Sequence, residues 1–90
     1  MARAERTFLI VNTLGLHARA AAQLVQAANR FRSEIHVEKD GTAVNGKSIM
    51  GVLTLAAAKG SSILVSCDGD DAENAMATLA KIIENGFGET

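Results

Sequence analysis

Two short stretches carry residue types that could do chemistry: GLHARAA (15–21) and GTAVNGKS (41–48). In the first, His17 stands immediately before an expected helix. The first N–H groups of a helix lack intrahelical partners and the dipole end there is positive, so the position is a ready anion site. Arg19 follows two residues on. A cation in the first helical turn opposes the macrodipole at a cost of about 0.3–1 kcal/mol, which suggests that something negative visits. An imidazole that titrates near neutrality is a usable nucleophile without a separate base. Together these are the parts of a phosphoryl-acceptor histidine: nucleophile, backbone donors for phosphate oxygens, and a guanidinium to share the charge. The residues alone leave a blander reading open, and favour it: a surface histidine at a helix start.

The second stretch has the spacing of a nucleotide-binding P-loop, with Gly41, Gly46, Lys47 and Ser48. A P-loop needs a buried strand before it and a phosphate-cradling loop that opens a helix. Here the preceding EIHVEKD (34–40) alternates, with Ile35 and Val37 on one face and Glu34, His36 and Glu38 on the other. That is a strand with one wet face. TAVN contains no glycine and fits the return strand of a hairpin after DGT. A nucleotide site is therefore disfavoured, and Ser48 is expected as a helix N-cap.

The elements that must position these residues follow from period and punctuation. TFLIVN (7–12) reads as a strand and TLGLH (13–17) as a loop. A helix starts at Ala18. Ala21, Leu24, Ala28 and Phe31 form its apolar stripe, opposite Arg19, Gln23, Gln26 and Arg30. A second helix opens at Ser48, buries Ile49, Val52, Leu53 and Ala56, and closes at Lys59-Gly60. SILVSC (62–67) is a fourth strand. Asp70 with Glu73 suggests a capping box for a last helix that buries Ala72, Met76, Leu79 and Ile83 and ends at Gly86. The order is β-α-β-β-α-β-α, one sheet layer covered on one face by helices.

The bulk numbers narrow the function. Ninety residues suffice for a single domain over 1–90 with a modest core. A net charge of −1, with no Trp or Tyr and three Phe, speaks against nucleic-acid binding. No apolar run approaches membrane-spanning length, so no membrane insertion and a cytoplasmic home are expected. Cys67 is the only cysteine and is expected to be a buried thiol; with two histidines in all, no metal site is expected.

GLHARAA, followed by NGKSIMGVLTLAAAKG, closely resembles the HPr family, the histidine-containing phosphocarriers of the bacterial phosphoenolpyruvate:sugar phosphotransferase system. The resemblance runs over essentially the whole chain in the same element order. It implies an α+β open-faced sandwich, a four-stranded antiparallel sheet with three helices on one side. It implies that His17 takes a phosphoryl group from phosphorylated enzyme I through Nδ1 and passes it to the A domain of a sugar-specific enzyme II, with Arg19 assisting. No cofactor is expected, and the protein would be a monomeric component of the system rather than a turnover enzyme.

The same resemblance maps a regulatory phosphorylation onto Ser48, made by a bifunctional HPr kinase/phosphorylase that binds the ATP itself. A phosphoserine at a helix start is held by the dipole while adding nearly two negative charges. Acidic partners are then repelled, and a transcriptional regulator with a basic patch can gain affinity. Leu16, Ala20, Gln23, Gln26, Ile49 and Met50 are implied as a docking patch, with Ile49 at least partly buried, whereas His36 reads as a solvated strand residue. One departure is visible. The family pattern is His-x-Arg-Pro-Ala, and Ala20 stands in the place of the proline. This keeps the nucleophile and the arginine but loosens the first helical turn. It also fits a protein that serves a regulatory phosphotransferase branch rather than bulk sugar uptake. A second reading is a regulatory binding module controlled through Ser48 phosphorylation, with little or no transfer from His17.

Overall fold

The computed structural model describes residues 2–89. Four strands, β1 (Arg3–Leu9), β2 (Glu34–Lys39), β3 (Thr42–Asn45) and β4 (Ser62–Asp68), form one sheet in the order β1-β4-β2-β3. Every neighbouring pair is antiparallel. Helices α1 (Ala18–Ala28), α2 (Ile49–Thr54) and α3 (Ala72–Glu84) cover one face, and a 3-10 turn (Gly86–Gly88) follows α3. The expected α+β open-faced architecture is the one observed.

Strand register sorts the side chains. Phe8 pairs with Ile63, and Val65 and Cys67 pair with Val37 and Ile35 on β2, so these residues share the helix-covered face. There they meet Leu24, Ala28, Met76, Leu79 and Ile83 in a single core. His36 pairs with Ser66 on the opposite face, exposed as expected. Cys67 is buried with no exposed surface.

Four boundaries differ from the sequence reading. The first strand occupies Arg3–Leu9 rather than 7–12, because pairing with β4 begins at Arg3 opposite Asp68. Its polar start, RAER, carries no apolar alternation. The apolar stripe of α1 stops at Ala28, and Phe31 packs against the core from the following turn. Helix α2 ends at Thr54, short of Lys59-Gly60, and Ala56 takes a left-handed φ of 48°. The 55–58 segment instead meets the loop before α1, where the Leu16 N–H donates to the Ala57 carbonyl at 2.8 Å. The capping box does not form. Asp71, not Asp70, precedes α3, and its carboxylate accepts from Ser33 Oγ (2.6 Å), the Ser33 N–H (3.0 Å) and the Arg32 N–H (2.8 Å). It ties the α1–β2 connection to α3.

The P-loop spacing also has a structural explanation. Gly41 belongs to the β2–β3 turn, with φ of 82°. Gly46 donates its N–H to the Ile35 carbonyl at 2.7 Å, and a Cβ there would lie 2.7 Å from Ile35 Cγ2. The glycine is required for close packing, not for a phosphate. Lys47 Nζ donates to the Phe31 carbonyl at 2.7 Å and ties this turn to the connection after α1.

Candidate functional site

His17 is the N-cap of α1, in extended backbone (φ −74°, ψ 178°). Its carbonyl accepts the first helical bond, from Ala21 N–H at 2.8 Å. The N–H groups of Ala18, Arg19 and Ala20 precede that bond and are the unpaired donors of a helix start. No acidic residue lies in the first turn. The His17 side chain makes no capping bond, which leaves the imidazole directed to the surface with 30% of its area exposed. Arg19 is exposed and forms no ion pair among the described residues.

The loop that delivers His17 is tightly specified. Gly15 has φ of 65°, a left-handed value, and a Cβ there would meet the Ala57 carbonyl oxygen at 2.4 Å. Asn12, almost fully buried, donates from Nδ2 to the Gly15 carbonyl at 2.8 Å. The loop is thus fastened to the 55–58 segment on one side and to buried Asn12, three residues past the end of β1, on the other.

An open cavity of about 500 Å³ lies at this helix start, lined by His17, Arg19, Gln23, Leu14, Phe87 and Glu89 among others. The turn after α3 supplies one wall. Gln23 Nε2 donates to the Phe87 carbonyl at 3.0 Å, and the Phe87 side chain is buried. Glu89 reaches back over the loop. Its Oε2 accepts from Asn12 Nδ2 at 2.9 Å and its Oε1 from the Leu14 N–H at 3.0 Å, and Oε2 lies 3.4 Å from His17 Nε2. The Asn12 amide, with the Leu14 N–H and the imidazole behind it, holds this carboxyl below the ordinary carboxylate range, against the opposing effect of partial burial.

The sequence-derived docking residues do not all reach the surface. Leu16 is 4% exposed and Ala20 has no exposed surface, because both point from the loop and the inner side of α1 into the core. Their side chains present nothing to a partner. Gln23 is half-buried and Gln26 exposed. Met50 is 79% exposed and Ile49 40% exposed, so Ile49 and its neighbour Leu53 stand at the surface rather than in the core face of α2. Ser48 is the N-cap of α2, and its Oγ accepts from the Gly51 N–H at 3.0 Å. No cluster of three or more His, Cys, Asp or Glu side chains suited to a metal occurs among the described residues.

Asn12, Phe87 and Glu89 were not marked by the sequence. Their role at His17 depends on the end of α3 returning to the start of α1, and no local pattern announces that return.

Comparison with known proteins agrees with this geometry. Residues 4–85 match the family model described as the PTS HPr component phosphorylation site. The chain is 51% identical over 80 residues to the phosphocarrier protein HPr of Neisseria meningitidis, covering 89% of this chain and 90% of that one. It is 54% identical over 70 residues to the HPr-like protein Crh of Halalkalibacterium halodurans, covering 78% and 83% of the two chains. The crystal structure of an HPr from Thermoanaerobacter tengcongensis superposes with a TM-score of 0.93 at 48% identity, covering 97% and 98%. A family match over most of the chain, a shared fold and a histidine set at a bare helix start make this chain a member of the HPr family of phosphotransferase-system phosphocarriers.

Proposed function

We propose that His17 is the residue on which this phosphocarrier bears its phosphoryl group, taken from enzyme I and handed to an enzyme II A domain. The observation that carries the reading is the meeting of three features at one point: an imidazole free of any capping bond, the unpaired N–H groups of the first α1 turn, and an arginine in that turn with no carboxylate partner among the described residues. A phosphoryl group on the ring brings negative oxygens to the positive end of an 11-residue helix. Arg19 adds a guanidinium that matches phosphate geometry. Transfer is then positioning and charge stabilisation, with no cofactor required.

Ser48 is the second site of the proposal. Its hydroxyl caps α2, so a phosphate added there sits at a helix start, next to the exposed Ile49 and Met50. Together with Gln23 and Gln26, these two residues are the proposed docking surface. The added charge would act on partner encounter rather than on folding. A dedicated serine kinase is part of this reading. The regulatory binding module is the second reading, and the similarity to the HPr-like protein Crh is what favours it.

Labelling separates the two. With enzyme I and phosphoenolpyruvate, mass spectrometry should find one acid-labile phosphoryl group, absent in His17→Ala and intact in His36→Ala. A label that survives loss of His17 would falsify the assignment. No label in the wild-type chain, with a stable phosphate on Ser48 after incubation with the serine kinase and ATP, would favour the regulatory module.

A further inference from the structure

With His17 as acceptor and Arg19 as the phosphate-side cation, Glu89 has no assigned part, yet its carboxylate lines the cavity and is held by two hydrogen bonds. We infer that Glu89 is a positioning residue for the His17 ring: its carboxylate faces Nε2 and favours the proton there, so that Nδ1 is the nucleophile and the ring charge formed on phosphorylation is balanced. This rests on the reading of His17 as the acceptor.

The placement of the carboxylate is determined from two sides. Asn12 Nδ2 and the Leu14 N–H fix one oxygen each, at 2.9 and 3.0 Å, and Asn12 is itself bonded to the Gly15 carbonyl two residues before His17. From the other side, Phe87 adopts a left-handed φ of 59° although it is not glycine. Such a conformation costs energy and persists where the surroundings impose it. Here a buried ring and the Gln23 bond to the Phe87 carbonyl impose it, and the Glu89 N–H donates to the Gly86 carbonyl at 3.0 Å. Glu89 therefore meets Nε2, at 3.4 Å, through the construction of the turn.

The chemistry follows from donor counting. A neutral imidazole has one N–H and one lone pair, and an ionised carboxylate only accepts. The nitrogen that faces Glu89 is thus the protonated one, and the lone pair lies on Nδ1. The partner of one ring nitrogen sets the state of the other. In the transfer step the Nδ1 lone pair forms the N–P bond. The bond from phosphorus to the donor's leaving atom breaks, and its electron pair stays with the donor. The Nε2 proton remains in place, so the ring becomes cationic opposite the Glu89 carboxylate. On onward transfer the N–P electrons return to Nδ1 and the ring is neutral again, its proton still on Nε2. Among the described residues, Glu89 and Arg19 are the charged ones that line the cavity besides His17 itself. One faces the ring charge and the other serves the phosphoryl oxygens. A carboxylate that holds the tautomer and stabilises an imidazolium is the division of labour found in hydrolase triads.

The test is the two-bond 1H–15N spectrum of His17 in unphosphorylated protein at about pH 8.5, some two units above the ordinary imidazole pKa, together with phosphorylation rates. The wild-type proton should lie on Nε2. Glu89→Ala should move the tautomer ratio towards Nδ1–H by about threefold, the scale of a part-exposed charged contact. Glu89→Gln retains an acceptor oxygen and should keep the tautomer, yet transfer from phosphorylated enzyme I should slow about threefold in both variants because the charge is gone. A wild-type proton on Nδ1, or an unchanged ratio in Glu89→Ala, overturns the tautomer assignment. A Gln variant at full rate overturns the charge-balancing part. A wild-type chain that takes no label from enzyme I overturns the His17 reading instead, and the spectrum still decides what Glu89 does.

Discussion

Arg19 opposes the dipole of the helix it begins and has no acidic partner among the described residues, so its charge is available for a visiting anion. A hydrogen bond to a charged group is worth about 1.5–3 kcal/mol. Arg19→Ala should therefore slow phosphoryl transfer to His17 by about tenfold to a hundredfold without abolishing it, because the backbone donors remain. Arg19→Lys should recover part of the rate, since it restores charge but not the planar fork. Stopped-flow transfer from phosphorylated enzyme I reads both. At this scale the sequence was informative where the chemistry is local. His17, Arg19 and Ser48 each stand at a helix start that punctuation and period mark. Glu89 was illegible because its partners, Asn12, Leu14 and His17, lie at the other end of the chain. Leu16 and Ala20 were misplaced on the surface because sequence adjacency to a site does not say which way a side chain points.

Two connections hold the site's elements in place, and each can be probed. Gly15 combines a left-handed φ with a Cβ position 2.4 Å from the Ala57 carbonyl oxygen. Gly15→Ala should cost more than about 1 kcal/mol, the size of the ordinary glycine effect at a compatible position, and it should slow His17 phosphorylation. The melting temperature and the transfer rate should fall together, because the strain is placed in the loop that carries His17, the proposed acceptor. The second connection is Asp71. Its carboxyl is held below the ordinary range by the Ser33 hydroxyl first and by the Arg32 and Ser33 N–H groups. A carboxyl with a depressed folded pKa contributes stability above its unfolded value, near 3.9, and loses that contribution as pH falls through the folded one. Asp71→Asn should thus be less stable at neutral pH and show a shallower loss of stability below about pH 4, as read by denaturant titrations at a series of pH values. Both connections were hidden from the sequence. The helical pattern beyond Thr54 looked continuous, but Ala56 turns left-handed and Ala57 is taken by the bond from Leu16. Asp70-Glu73 had the spacing of a capping box, but Asp71 has stronger partners in the 32–33 turn.

The molecule as a whole is a one-sided sheet whose helices present His17, Ser48 and the exposed side chains of α2. That order and facing were readable from alternation in β2 and β4 and from the stripes of α1 and α3, because a sheet with one wet face and amphipathic helices leaves few ways to bury the apolar set. What partners meet is a surface property. Met50 is 79% exposed, so Met50→Glu should change stability by no more than about 0.5 kcal/mol. It should slow transfer from enzyme I, as should Ser48→Asp, with both effects weakening as salt screens the added charge. Equal rates at low salt would remove α2 from the docking surface. Isolated protein should show no ATP or GTP binding by calorimetry, because Gly46 and Lys47 are committed to the turn between β3 and α2.

The central claim is that the phosphoryl group travels on Nδ1 of His17. The most direct measurement is 31P and 15N NMR of labelled protein phosphorylated by enzyme I and phosphoenolpyruvate. The spectrum should show one phosphoramidate, coupled to Nδ1 of His17, with the Nε2 proton retained. A phosphoramidate on Nε2, or on His36, would contradict the account.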